Sequence, residues 1–176
     1  SMYSDTLWPA LERALADAVK GNGAGLLKLY DDYYQRKPGG TYGNELEAFL
    51  AISCLDDPGP TSVTAVDEQI PVFTKAAKRF GATFAYGYSC ALWPVPAVQR
   101  LEITGKGAGP IVVIGTTGDA ATPIESSRNA AKALEDGVFL TVTADQHTGY
   151  GLNKCVVDAV DKYLIDLTAP PIGKVC

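Results

Sequence analysis

Ser89, Asp119 and His147 are the residues of this chain whose types and order could carry out covalent chemistry. Ser89 lies in Gly87-Tyr88-Ser89-Cys90-Ala91, which departs only at its last position from the G-x-S-x-G turn that presents an activated serine. Asp119 and the chain's single histidine follow it, acid before base. In such a triad the serine oxygen attacks a carbonyl and the imidazole takes its proton. The carboxylate holds the imidazole in one tautomer and stabilises its cation. Each residue also has a bland explanation, because a strand-end aspartate often forms a turn or cap and a lone histidine is often a surface residue. At successive strand ends the pair points instead to a catalytic acid and base.

The elements that must position them are readable from apolar patterning. Ile111-Val112-Val113-Ile114 is apolar on both faces, as in a parallel sheet covered by helices. Thr122-Pro123-Ile124-Glu125 has the form of a capping box with an early proline and predicts a helix to about Leu134. A second strand is expected over Val138–Thr143 and a last helix over Asn153–Asp166. This alternation argues for an open parallel α/β sheet, whose ligands gather at loops beyond the carboxyl ends of the strands. Asp119 and His147 stand in two such loops.

Upstream, residues 7–20 and 24–34 carry apolar side chains at helical spacing. The apolar run Phe49–Leu55, closed by Pro58-Gly59-Pro60, is expected to be a buried strand. A helix is expected over Val63–Phe80, with a kink or late start at Pro71. Ser89 is poorly placed for its candidate role. Pro94 and Pro96 follow closely and forbid the regular helix that should leave a nucleophile turn, so Ser89 stands as the alternative nucleophile and not the leading one.

Composition narrows the classes. With 47% hydrophobic and 20% charged residues the chain is globular, and its net charge of −5 without a basic cluster argues against nucleic acid. No apolar run approaches the ~20 residues needed to span a bilayer. The four cysteines, Cys54, Cys90, Cys155 and Cys176, form no C-x-x-C pair, and one histidine cannot complete a zinc pattern, so no metal is expected. Two disulfides are expected, with three possible connectivities, in a secreted or cell-envelope protein. Ser1-Met2 reads as an added residue before a start, so a leader is expected to have been removed or left out.

"PIVVIGTTGDAATP", "DQHTGYG" and the terminal "PPIGKVC", with "AISCLD" and "CALWP" upstream, together resemble a known family. They are similar to the C-terminal region of the tripeptidyl-aminopeptidase-like α/β-hydrolases, exported serine exopeptidases of actinobacteria. The resemblance implies a partial α/β-hydrolase fold of about three C-terminal parallel strands, near Ala51, Val112 and Leu140. Residues 1–44 would be a helical lid segment and 45–176 the C-terminal part of the hydrolase domain. Carried over by position, Asp119 is the triad acid and His147 the base. Cys54 pairs with Cys90 and Cys155 with Cys176, while Trp93 and Pro94 lie near the substrate cleft. The family's own serine lies in an N-terminal half outside this chain, which implies an acid and base without a nucleophile, inactive alone. No cofactor is implied. The expected partner is the missing half, or a second copy joined by edge pairing or swapping. Two alternatives stand beside this: a compact esterase using Ser89, Asp119 and His147, and a non-catalytic, disulfide-stapled module that binds a peptide or partner chain.

Overall fold

The computed structural model describes residues 3–57, 59–84 and 87–176. The Ser1-Met2 start, Pro58 of the Pro-Gly-Pro turn and Ala85-Tyr86 ahead of the elbow-like segment lie outside the described residues. In chain order the helices are α1 (Trp8–Val19), α2 (Ala24–Tyr33), α3 (Glu45–Asp56), α4 (Val63–Asp67), α5 (Ile70–Ala76) and α6 (Tyr88–Ala91). Strand β1 (Ile111–Thr116), α7 (Ile124–Ala133), β2 (Gly137–Val142) and α8 (Lys154–Asp166) follow. These elements form two units, Ser1–Tyr30 with Glu102–Cys176, and Asp31–Leu101.

In the first unit β1 and β2 pair in parallel, from Ile111 opposite Gly137 to Thr116 opposite Val142. Strand, α7, strand and α8 follow in the order that the apolar runs predict. The core is small: Leu140, Val142 and Val156 are fully buried, with Val112, Ile114, Leu152, Ala159 and Val160 against them. Val156, Ala159 and Val160 recur at helical spacing, so one stripe of α8 meets the sheet. Asn153 starts α8 by accepting the Val156 N–H at 3.0 Å, and its amide also donates to the Cys176 carbonyl at 3.3 Å.

The C-terminal tail returns along β2. Thr141 N–H donates to Lys174 O at 3.1 Å, Cys176 N–H donates to Thr141 O at 2.8 Å, and Cys176 is disulfide-bonded to Cys155 at the start of α8. Part of the outer edge of β2 is thereby satisfied. On the other side of the sheet, β1 has no paired strand among the described residues.

The second unit corrects one expectation. Phe49–Leu55 is not a strand: it lies within the twelve-residue helix α3, so among the described residues the sheet has two strands where about three were expected. A short apolar run cannot by itself distinguish a buried strand from a helix. Here Glu45-Leu46-Glu47-Ala48 extends it with good helix formers, and the two glutamates suit the positive first turn. The helix leaves Phe49 and Ile52 exposed and buries Cys54, which is bonded to Cys90. The single helix expected over Val63–Phe80 is instead two short ones, α4 ending at Asp67 and α5 running from Ile70 only to Ala76, with Pro71 in the first turn of α5. No helix among the described residues is long and apolar enough to cross a membrane.

Candidate active site

Asp119 and His147 are brought together by the loops that leave the carboxyl ends of β1 and β2. Strand pairing continues into these loops. Thr117 N–H donates to Val142 O at 3.0 Å, Gly118 N–H to Ala144 O at 2.8 Å, and Ala144 N–H to the Thr117 hydroxyl at 3.1 Å. Beyond His147 the chain presses onto the sheet at Gly149. A Cβ there would stand 2.7 Å from Ile114 Cγ2 and 3.0 Å from Val142 Cγ2, closer than packed carbons approach. Gly149→Ala is therefore expected to lower unfolding free energy by about 2 kcal/mol, the scale of overpacking a tight site. Urea denaturation would check it, and an unchanged midpoint would contradict this account of the loop.

The Asp119 carboxylate is the hub of the site. Its Oδ1 accepts the N–H groups of Ala121 and Thr122, each at 2.9 Å, which winds the Asp119–Thr122 segment into an Asx-type turn. Its Oδ2 accepts the Thr122 hydroxyl at 2.7 Å, the Thr148 N–H at 3.1 Å and His147 Nδ1 at 2.9 Å. The turn-forming and histidine-orienting roles of this aspartate thus coexist in one side chain. The expected capping box does not form. Proline 123 occupies the cap position of α7, no side chain caps the helix, and the Thr122 hydroxyl is committed to Asp119. In a cap that hydroxyl would accept an N–H, whereas here it donates to the carboxylate, and α7 begins one residue later, with Pro123 and not Thr122 at its cap.

Electrostatics follow from this geometry. The Asp119 side chain is only 3% exposed, and that burial by itself would raise its pKa. The N–H and hydroxyl of Thr122, the N–H of Thr148 and the His147 ring outweigh burial and hold the carboxyl well below the usual range. A depressed folded-state pKa contributes stability above the carboxyl's ordinary value of 3.8, and that contribution is lost as pH falls below it. Asp119→Asn, which does not titrate, is therefore expected to lose less melting temperature than the parent between pH 5 and about pH 3. Thermal melts at the two pH values would test this, and equal losses in both proteins would count against it.

An ionised carboxylate has no proton to give, so His147 Nδ1 carries the hydrogen of their contact and the neutral ring keeps its lone pair on Nε2. The imidazole is 30% exposed, which leaves it reachable while its partner is desolvated. The pair can accept a proton at Nε2 and stabilise the resulting cation. Thr148 has φ 67°, an unfavourable left-handed conformation for a β-branched residue. That conformation is the one in which its N–H reaches Asp119 directly after the histidine.

Sequence marks Thr122 only as a helix cap, not as a partner of Asp119, and does not mark Thr148 at all. The Asp-x-x-Thr spacing of Asp119 and Thr122 is a readable signal for the first, whereas the backbone contact of Thr148 has none.

Ser89 belongs to the other unit, exposed on the four-residue helix α6. The helix stops at Ala91, as the Pro94-x-Pro96 spacing requires. Gly87 is explained by packing: a Cβ there would lie 3.0 Å from Val66 Cγ2 and 3.2 Å from Pro60 Cγ. Tyr88 donates its hydroxyl to Asp67 at 2.5 Å. Trp93 is half-buried, its indole N–H making no hydrogen bond among the described residues, and Pro94 is exposed. Cys54–Cys90 and Cys155–Cys176 are the two disulfides, the pairing that the resemblance implies.

Comparison with known proteins follows the same line. Residues 76–176, which contain both strands and both site loops, match the family described as TAP-like protein. The chain is similar to carboxylesterase B of Mycobacterium tuberculosis, at 35% identity over 100% of this chain and 35% of that protein. It is similar to the serine protease Hip1 of the same organism, at 34% identity over 100% of this chain and 35% of that protein. With the tripeptidyl aminopeptidase of Streptomyces lividans it shares 26% identity over 93% of this chain and 31% of that protein. The chain spans about a third of the length of the curated relatives it matches. With more than half its residues matched, the strand ends that hold Asp119 and His147 included, the chain belongs to the TAP-like family of α/β-hydrolases.

Proposed function

We propose that this chain supplies the acid and base of a serine peptidase site, Asp119 and His147, and that the attacking serine comes from residues outside it. The 2.9 Å contact between the buried carboxylate and Nδ1 of a partly exposed imidazole carries the proposal. In the complete site Nε2 of His147 takes the proton of the serine hydroxyl as its oxygen attacks the substrate carbonyl. The cation formed is held by Asp119. Nε2 then returns the proton to the leaving amine, and an acyl-serine ester remains for water to cleave. The substrate class is short peptides with a free N-terminus, in keeping with the similarity to a tripeptidyl aminopeptidase.

Ser89 is not the nucleophile in this proposal. Its turn ends in prolines, and its glycine has a packing explanation. Residues 1–44 serve as lid, and Trp93 and Pro94 border the substrate cleft. Two disulfides favour an oxidising compartment, so the protein works in a secreted or cell-envelope setting. The side of β1 that is unpaired among the described residues takes a strand from the nucleophile-bearing segment or from a second copy.

A fluorophosphonate probe tests the proposal. The chain alone is expected to stay unlabelled, and mixing it with a separately expressed segment bearing the nucleophile turn is expected to give labelling of that segment and release of N-terminal peptides. Labelling of this chain at Ser89, abolished by Ser89→Ala, would replace the proposal with the compact esterase.

A further inference from the structure

Tyr3 meets His147 twice, although it precedes the first helix. Its carbonyl accepts the His147 backbone N–H at 2.8 Å, and its ring lies against the imidazole with centroids 4.8 Å apart and planes inclined by 39°. Tyr3 is 47% exposed, so core burial does not account for the contact. The segment is held in turn by its own structure: Leu7 N–H donates to Ser4 O at 3.1 Å, and the Asp5–Leu7 turn runs directly into α1.

Asp119 fixes where the Nδ1 edge of His147 sits. One hydrogen-bonded edge still leaves the ring free to tilt about the line joining Nδ1 to the carboxylate. A tilted aromatic face against the imidazole removes that freedom, and the negative face of the phenol ring favours the cation formed when Nε2 takes a proton. The carbonyl contact meanwhile fixes the backbone from which the ring projects. We propose that Tyr3 is a positioning residue for His147, holding its ring and backbone in the orientation that proton transfer needs. This rests on the acid–base role proposed above for His147.

The single histidine makes the test direct, since every histidine signal is that of His147. In the chain as it stands, diethyl pyrocarbonate modification of His147 is followed together with the NMR shifts of its ring protons. The variants are Tyr3→Ala, Tyr3→Leu and Tyr3→Phe. Alanine and leucine are expected to shift the ring resonances and speed modification by roughly two- to tenfold, the range of a ring-packing contact. Phenylalanine, which keeps the ring, is expected to restore both. Leucine retains apolar bulk, so it decides the matter if alanine loosens the fold.

Wild-type rates and shifts in both alanine and leucine variants would overturn the proposal, as would a phenylalanine variant that behaves like alanine. None of these readouts requires a nucleophile, so their failure leaves the acid–base proposal standing. In the assembled enzyme Tyr3→Ala is expected to lower kcat by a similar factor with KM unchanged, and a change confined to KM would count against positioning.

Discussion

Asp119→Asn is expected to lower kcat of the assembled enzyme by about 10⁴-fold, the scale seen when a triad aspartate is replaced by its amide. The reason lies in hydrogen-bond polarity. Oδ1 and Oδ2 of Asp119 together accept from three backbone N–H groups, the Thr122 hydroxyl and His147 Nδ1. An asparagine must turn an NH₂ group toward one of these sets of donors. If it keeps its oxygen on the Ala121 and Thr122 N–H groups, its NH₂ faces His147. The ring must then accept at Nδ1 and carry its hydrogen on Nε2, where it can no longer take a proton from serine. If it flips, the turn loses its acceptor and the loop is disturbed.

His147→Ala is expected to lower kcat by a similar order. The double variant should be little worse than either single one, because the two residues act as a unit. Release of N-terminal peptides under saturating substrate would measure all three. A loss smaller than tenfold for Asp119→Asn, in a folded protein, would mean that this aspartate does not orient a catalytic imidazole.

What sequence could reveal of this site depended on how local each determinant is. The strand at Ile111–Thr116 and the strand at Gly137–Val142 are announced by β-branched runs bounded by glycine, and the loops beyond them inherit their position from the sheet. Asp119 and His147 were visible for that reason. Thr122 was visible as a residue but assigned to the wrong partner. Both its N–H and its hydroxyl donate to the carboxylate three residues back, which keeps Thr122 in the turn and moves the cap position of α7 on to Pro123. Phe49–Leu55 failed differently, because an apolar run carries no period and its helical extension lay in the residues before it. Tyr3 left no local trace. Its contact with His147 joins distant parts of the chain, and only the folded chain brings them together. The left-handed Thr148 is similar, since nothing in the identity of a threonine suggests that its N–H will be turned back onto Asp119.

Removal of the second disulfide, by Cys155→Ser with Cys176→Ser, is expected to lower unfolding free energy by about 3 kcal/mol, the stabilisation that closing a loop of this size gives. The bridge spans 21 residues of sequence, from the first turn of α8 to the end of the chain. In the unfolded chain it restricts the ensemble. In the folded chain it holds the tail where Val175 pairs with Thr141 and where Asn153 reaches the Cys176 carbonyl. Those contacts link the start of α8 to the edge of β2, the strand that leads to His147. Without the bridge the tail is free to leave, and the Thr141 N–H and carbonyl become available for pairing with another chain. Two readouts should therefore move together: a lower urea midpoint and a concentration-dependent increase in light scattering. Loss of stability without added association would place the bridge's effect in the unfolded chain alone. An unchanged midpoint would show that the tail's backbone pairing holds β2 without the covalent link.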